Sequence, residues 1–170
     1  PAPGRPQSPL VSPSGIVCVS GPASGTLTIA RPHGGGYREQ TIPVGACPHD
    51  PALAVDGEHV FVPCAGSREI VKARMNDGHI VGGCEVGDGP SHLVPHPDGT
   101  RVYLASGWGG TLSCITAEGV VVASARSGGW AHAIDIAPNG RRVVVANLLD
   151  DSVSVFDSET RDRVAVLDTD

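Results

Sequence analysis

The sequence predicts an all-β fold, a β-propeller of four four-stranded blades, and three observations support this prediction. A tight-turn pair recurs at intervals of 42, 42 and 41 residues along the 170-residue chain, and each pair leads into an apolar strand. No stretch has the 3.6-residue apolar period of an amphipathic helix. Glycine (23) and proline (15) are abundant, as in chains with many turns. A repeat of about 40–45 residues built from short strands is typical of propeller blades.

The recurring turns fix the register of the repeat. They are Ser14-Gly15, Asp56-Gly57, Asp98-Gly99 and Asn139-Gly140. Asp-Gly or Asn-Gly between apolar runs predicts a tight hairpin in which both central residues have positive φ. The strands that follow these turns are expected at 16–19, 60–62, 102–104 and 143–145.

The same register places two more strands in every repeat. A third strand is expected at 27–29, 70–72, 112–115 and 153–156, and a fourth at 40–44, 79–86, 120–126 and 163–167. The alternation in 152–156 is typical of a half-buried strand. We therefore divide the chain, 1–170, as a single propeller domain into blades of about 42 residues, at approximately 4–45, 46–87, 88–128 and 129–170.

Residues at equivalent positions of the four repeats form what we call columns. These columns resemble the consensus sequence of the YVTN-type β-propeller family. The last unit matches most closely, with Pro138-Asn139-Gly140, then Val143-Val144-Val145-Ala146-Asn147, then Ser152-Val153-Ser154-Val155-Phe156-Asp157. Relatives of this type include lactone-hydrolysing enzymes, surface-layer proteins and electron-transfer subunits. The resemblance implies a ring of seven or eight blades, so missing blades or a second chain are expected to complete it. It also favours an extracytoplasmic or secreted location.

Composition and charge argue against several classes of function. The formal net charge is −6, and one lysine among eleven arginines leaves no basic stripe for nucleic acid. No apolar run approaches the roughly 18–20 residues of a membrane span. Schiff-base chemistry would depend on Lys72, which the register places in a third strand away from the channel mouth. Of the five cysteines, Cys47 and Cys64 fall in loop columns, where a disulfide is one of the alternatives.

Blade topology predicts which loops carry a ligand site. The loops between blades lie on the same side as the loops between strands two and three, whereas the Asp-Gly turns lie on the opposite side. Concave mouths with a few polar groups favour ligands. The expected ligand-binding face contains Asp50, Trp108, Trp130, Asn147, Asp150 and Asp151. The two tryptophans have an alternative role, which is to cover the end of the core between blades.

Three histidines form the most specific candidate site. His49 and His132 occupy one column two blades apart, and His92 lies one step beyond the matching Ser91. Neutral imidazoles at a channel mouth could bind a divalent metal ion or act as general acid and base. The alternative is that this column only hydrogen-bonds the backbone of a neighbouring blade. The remaining histidines, His33, His59, His79 and His96, are expected to be solvated.

Two classes of function remain. The first is a scaffold that binds a protein or a small-molecule ligand through its loop face, and the absence of a specific catalytic motif favours it. The second is an enzyme, either a lactonase-like hydrolase or a metal-dependent lyase, in which His49, His92 and His132 carry the chemistry.

Overall fold

The computed structural model describes residues 6–169, so residues 1–5 of the proline-rich start and residue 170 lie outside the description. Sixteen strands form four antiparallel sheets. Their bounds are β1 Gln7–Val11, β2 Val17–Gly21, β3 Thr26–His33, β4 Gly36–Pro43, β5 Ala52–Leu53, β6 His59–Cys64, β7 Glu69–Arg74, β8 Ile80–Glu85, β9 Pro90–Pro95, β10 Arg101–Ser106, β11 Thr111–Thr116, β12 Val121–Arg126, β13 Ala131–Ile136, β14 Arg142–Asn147, β15 Ser152–Asp157 and β16 Arg163–Asp168.

Each sheet is a propeller blade whose four strands follow one another in chain order. The first strands of successive blades, β5, β9 and β13, contact one another, which places them on the inside of the array. The predicted all-β propeller with four-stranded blades is therefore confirmed. Within the described residues, no helix is long and apolar enough to cross a bilayer.

The turn between strands one and two differs from the predicted geometry. Gly15, Gly57, Gly99 and Gly140 all have positive φ, but the residue before each glycine does not. Each glycine N–H donates to the carbonyl three residues earlier, for example Gly57 to Ala54 at 2.9 Å. This is a type I turn with glycine in the fourth position. Proline precedes the turn pair in three of the four blades and holds its own φ negative, which favours this turn.

Strand β4 extends well beyond its predicted bounds and strand β5 is very short, for identifiable reasons. The predicted strand 40–44 extends over Gly36–Pro43, because β3 and β4 continue pairing up to a hairpin at Gly34 and Gly35. The inner strand of blade two, β5, contains two residues, and only an isolated bridge between Pro48 and Cys64 precedes it. Proline lacks the N–H that a ladder requires, and Pro48 and Pro51 interrupt this strand.

Three apolar clusters lie between neighbouring blades and hold them together. One joins blades one and two, another blades two and three, and the last blades three and four. Their central side chains include Ile29, Val62, Leu104, Val145 and Phe156, each almost completely buried. The core is thus a series of interfaces between stacked sheets, and each blade depends on its neighbours for burial of its apolar faces.

The second strands of the two middle blades are more deeply buried than those of the two outer blades. In β6 and β10 every residue after the first is buried, because a neighbouring blade covers both faces of the sheet. In β2 and β14 buried and half-buried residues alternate, so only one face is covered. The outer face of blade four is nevertheless apolar, and it includes Val144, Val153 and Val155. Its sequence is that of a sheet packed on both faces.

His96 lies in the core instead of in solvent, which corrects the sequence-based expectation. Its side chain is buried, its Nε2 lies 3.1 Å from the carbonyl oxygen of Gly140 in the next blade, and its Nδ1 lies 2.7 Å from a carboxylate oxygen of Asp98. His33 and His79 are exposed as expected, whereas His59 is half-buried beside Asp56. His96 is therefore a structural link between the turns of blades three and four.

The turn that contains His96 should make stability depend on pH. Partial burial raises the pKa of Asp98, but hydrogen bonds from Thr100 and the nearby His96 outweigh it and lower the pKa from 3.8 to about 2. Ionised Asp98 therefore stabilises the fold above pH 3.8, and this contribution disappears as the pH falls towards 2. We expect the urea midpoint of Asp98→Asn to fall less than that of the wild type between pH 5 and 2. Equal losses in the two proteins would contradict this.

All five cysteines are free thiols in the structure. Cys18, Cys64 and Cys114 are buried, whereas Cys47 is exposed. Burial raises the pKa of the Cys64 thiol to about 12, so this thiol stays protonated and unreactive at neutral pH. The Cys47–Cys64 disulfide that the sequence left open is not formed here.

Candidate functional site

The predicted loop face is built by a repeated pair of backbone hydrogen bonds. In blade two, Ala65 and Gly66 donate to the carbonyls of Cys47 and Ala46 at 3.0 and 2.9 Å. Equivalent pairs join Gly107 and Gly109 to 88–89 in blade three, and Leu148 and Leu149 to 129–130 in blade four. These bonds fasten each blade-to-blade loop to the loop between strands two and three. The two loop sets therefore share one side of the array, which we call the loop face.

A left-handed backbone residue precedes the inner strand in blades two, three and four. These residues are Cys47, Gly89 and Trp130, with φ of 52°, 69° and 56°. The position suits glycine, whereas a bulky side chain such as tryptophan is strained there. Trp130 therefore adopts a conformation that its own preferences oppose, which makes it a candidate for a role beyond packing.

His49 and Asp50 lie at the start of blade two and are both half-buried. The His49 Nε2 lies 3.8 Å from the exposed Cys47 Sγ. Ser8, in the inner strand of blade one, donates a hydrogen bond to the Asp50 carboxylate. Asp50 therefore links two inner strands, and the imidazole of His49 lies beside a thiol at the rim of the channel.

His132 lies on a β-bulge at the start of the inner strand of blade four. Ala131 pairs with Asn147 and Ala133 with Ala146, so His132 is the extra residue between them. Its side chain is exposed, whereas that of His92 in blade three is half-buried. Bulges are frequent next to active sites, because they change the direction of a side chain.

Ser91 supports the alternative role that the sequence left open for this column. It is the bulge residue of blade three, in the column of His132. Its hydroxyl lies 3.1 Å from the carbonyl of Ala105 and 3.5 Å from the carbonyl of His132 in the next blade. A polar residue of this column thus joins neighbouring blades through the backbone, while the two histidines supply imidazoles.

The structure does not bring the three histidines together as a metal centre. Within residues 6–169, no group of three His, Cys, Asp or Glu side chains is arranged to hold a metal ion. This geometry gives no support to divalent metal binding by His49, His92 and His132, which stays an untested prediction.

The two tryptophans meet on the loop face between blades three and four. Trp108 and Trp130 form an edge-to-face pair with ring centroids 6.3 Å apart. Trp108 is 69% exposed and Trp130 37%, so neither ring is a buried cap on the core. The exposed Leu148 and Leu149 follow on the adjacent loop. These four residues form an apolar surface, here called the tryptophan patch, that a ligand could contact.

Asn147 does not belong to the ligand-binding face, which corrects the sequence-based assignment. It is 2% exposed, and its amide is fully used inside blade four. Its Oδ1 accepts from Ser127 at 2.7 Å, and its Nδ2 donates to Ser152 and Ser154 at 3.1 and 3.0 Å. The position of Asn147 next to a loop led to the prediction that its side chain faces a ligand. In the structure, three buried serines surround the side chain instead.

Asp150 and Asp151 lie on the loop face, where both have backbone functions. The Asp150 carboxylate accepts from the Gly129 N–H at 2.6 Å, as the Ser67 hydroxyl does from Ala46 in blade two. Asp151 has a φ of 45°, and its carbonyl accepts from Thr169. Both side chains are exposed, so they add negative charge beside the tryptophan patch.

An ion pair that no sequence pattern predicts crosses the loop face. Arg68 Nε lies 2.9 Å from Asp88 Oδ1, which joins the loops of blades two and three. Both side chains are more than half exposed, so the pair contributes little to stability. Such a contact depends on the spacing of neighbouring blades, which the repeat alone does not reveal.

Solved structures share the fold of this array over part of their own length. Hydrazine synthase from Kuenenia stuttgartiensis superposes with a TM-score of 0.85 at 21% identity, over 96% of this chain and 49% of that one. Candidate 6-phosphogluconolactonases from Bacteroides uniformis and Bacteroides fragilis give TM-scores of 0.83 and 0.84 at 14% identity. They cover 97% and 100% of this chain and 55% and 58% of theirs. The chain thus spans about half the length of these structures.

The family comparison is more specific than these likenesses of fold. No curated protein sequence matches the chain significantly. The family described as lactonase, seven-bladed β-propeller, matches residues 26–169. The narrower YVTN-type assignment remains an interpretation of the repeat. Because the match covers most of the sequence, the chain belongs to the seven-bladed β-propeller lactonase family.

Proposed function

We propose that the chain forms four blades of a lactone-hydrolysing enzyme whose substrate binds at the channel mouth of the loop face. The observation that supports this most directly is the family match over 26–169. Histidines near the start of three successive inner strands supply groups suited to the reaction. His49 and His92 are half-buried and His132 is exposed, so water and substrate can reach them.

The chemistry needs only water and an imidazole. A neutral histidine accepts a proton from water while the water oxygen adds to the lactone carbonyl carbon. The ring carbon–oxygen bond then breaks, and the leaving alkoxide takes up a proton. The products are a hydroxy acid, ionised at neutral pH, and one released proton. We assign the base to the set His49, His92 and His132, and propose 6-phosphogluconolactone as the first substrate to test, because two structural neighbours carry that candidate activity.

The tryptophan patch favours the second candidate function, a scaffold that binds a ligand without turnover. Trp108 and Trp130 are the only tryptophans, and both lie on the loop face. Tryptophan fluorescence therefore reports occupancy of this face directly. A change in emission on adding the lactone or its hydroxy acid, without hydrolysis, would favour the scaffold over the enzyme.

Replacing the general base should abolish most of the hydrolysis. Among His49→Gln, His92→Gln and His132→Gln, at least one should lower kcat/KM by about 100-fold, the smaller end of the usual general-base contribution. The measurement is proton release from 6-phosphogluconolactone at constant pH, corrected for spontaneous ring opening. His33→Gln is the control, because His33 is exposed at the outer hairpin.

Three histidine variants with wild-type rates would refute the general-base assignment. Absence of hydrolysis in the wild type, together with a fluorescence change, would favour the scaffold. Metal analysis of the same samples tests the metal-dependent lyase: stoichiometric divalent metal that is lost in the variants would make the histidines ligands.

We also propose that a further blade covers the outer face of blade four. In blade three, Tyr103, Leu112 and Cys114 lie in the cluster shared with blade four. Their counterparts in blade four are Val144, Val153 and Val155, which are apolar but only half-buried. The seven-bladed description of the family fits this arrangement.

The uncovered face should make the isolated four-blade chain associate. We expect sedimentation at increasing concentration to reveal dimers or larger species, since apolar surfaces of this kind associate. Val155→Lys places a charge on the face and should shift the chain towards the monomer. A wild-type chain that stays monomeric at every concentration would argue against the covering blade.

A further inference from the structure

One column of the repeat changes character in blade two. Two positions into the third strand, the other blades have the apolar residues Ile29, Cys114 and Val155, whereas blade two has Lys72. Ile29 and Cys114 pack in the clusters between blades. The only lysine of the chain therefore occupies a position that the fold uses for interblade packing.

The residue opposite Lys72 is also exceptional. Lys72 pairs with Gly82 in the ladder between β7 and β8. The equivalent positions hold Gln40, Ala123 and Ala165 in the other blades. Gly82 has open space where a Cβ would stand, whereas a Cβ at Gly83 would overlap the Ile70 carbonyl oxygen. In blade two, a long cationic side chain therefore lies opposite a residue that has no side chain, on the same face of the sheet.

These two changes lie at a groove between blades two and three. The cavity has a volume of about 470 Å³, within the range of small-molecule sites. Its apolar floor is formed by Phe61, Ile70, Val102 and Ile115. It lies beside the hairpin that joins β11 and β12. This hairpin is on the side of the array that carries the turns between strands one and two, opposite the loop face.

The ammonium of Lys72 is positioned over this apolar floor. Its Nζ lies 5.3 Å from the centre of the Phe61 ring and 3.4 Å from the Ala117 carbonyl oxygen, to which it donates. An ammonium has three donors, so two remain for a ligand. The nearby Glu118 is exposed at the rim, and a hydrogen bond from Thr116 lowers the pKa of its carboxyl group.

We propose that this groove binds a small amphipathic anion, with its apolar body on the Phe61–Ile115 floor and its carboxylate or sulfonate at Lys72. The half-buried cation provides charge complementarity. The contact area comes from the apolar lining as a whole, in which the exposed Val81 stands beside the more deeply buried floor. Neither part depends on the lactone-hydrolysing function proposed for the loop face, so the two proposals succeed or fail separately.

Two fluorescent probes with the same aromatic skeleton can separate the parts of this site. The anionic probe is 8-anilinonaphthalene-1-sulfonate, and the neutral one is N-phenyl-1-naphthylamine. Lys72→Met keeps most of the side-chain volume but removes the charge. This variant should lower the binding affinity for the anionic probe by about 10-fold, which is the effect of losing one charge-assisted hydrogen bond of about 1.4 kcal/mol. The neutral probe should bind to this variant within about 2-fold of the wild type, since the apolar floor is intact.

Filling the groove should affect both probes. Gly82→Val introduces a branched side chain beside Lys72 where there is open space, so we expect it to weaken both probes by at least about 10-fold through steric exclusion. The matched control is Ala165→Val, the same ladder position in blade four. That variant also monitors probe binding to the uncovered face of blade four.

Three results would overturn the proposal. They are a wild-type chain that binds neither probe, a folded Gly82→Val that binds both probes normally, and a Lys72→Met variant that binds the anionic probe normally or weakens both probes equally. If thermal unfolding shows that Gly82→Val is not folded, the two titrations of Lys72→Met decide the question alone.

Discussion

Phe156→Ala should lower the free energy of unfolding by about 4 kcal/mol, as expected for a large buried aromatic side chain replaced by alanine. Phe156 is 1% exposed and lies in the cluster that joins blades three and four. The cluster is walled by paired sheets on both sides, and a stiff ladder closes a void less readily than loops do. Most of the cavity should therefore remain, and its cost adds to the lost burial of the ring.

The matched control is its neighbour on the same strand. Val155 lies on the opposite, uncovered face of blade four and is only half-buried, so Val155→Ala should cost less than about 1 kcal/mol. Urea unfolding can be followed by circular dichroism and by the fluorescence of Trp108 and Trp130, which lie at the same blade boundary. Similar losses for the two variants would mean that the packing between blades three and four is not the main source of stability.

The propeller could be predicted because its signals are local and repeated. Turn glycines at Gly57, Gly99 and Gly140 mark the same point of each blade, and apolar columns follow at fixed distances. The turn type could not be predicted from the glycine alone, because a positive φ at glycine fits several turn types and blade two forms the same turn with Val55 in place of proline. The burial of His96 depends on the Gly140 carbonyl, 44 residues away, which no local pattern contains.

The candidate site was less predictable than the fold, and Asn147 and Lys72 illustrate why. Position in the repeat correctly placed the tryptophans on the loop face, because loop connectivity follows from strand order. It could not show that serines use every polar atom of Asn147. The groove at Lys72 depends on Gly82 in a different strand, so it becomes visible only when the ladder pairs the two residues.

Asn147→Ala should destabilise the chain by about 3 kcal/mol, because it leaves buried polar groups without partners. The substitution removes the acceptor of the Ser127 hydroxyl and the donor to Ser152. Ser154 keeps its hydrogen bond to the Ser127 carbonyl, so the loss concerns two hydroxyls and not three. Thermal and urea unfolding measure this change in stability.

The same column supplies a control of opposite sign. Ser106 occupies the position of Asn147 in blade three and is completely buried, but within residues 6–169 its hydroxyl has no hydrogen-bond partner. Ser106→Ala replaces this unpaired hydroxyl with hydrogen and so removes a desolvation cost. The free energy of unfolding should therefore stay the same or rise by up to about 1 kcal/mol. If both variants lose the same stability, burial at this column matters more than the hydrogen bonds of Asn147. If only Asn147→Ala is destabilised, the hydrogen bonds between Asn147 and its serines, and not burial alone, stabilise blade four at this position.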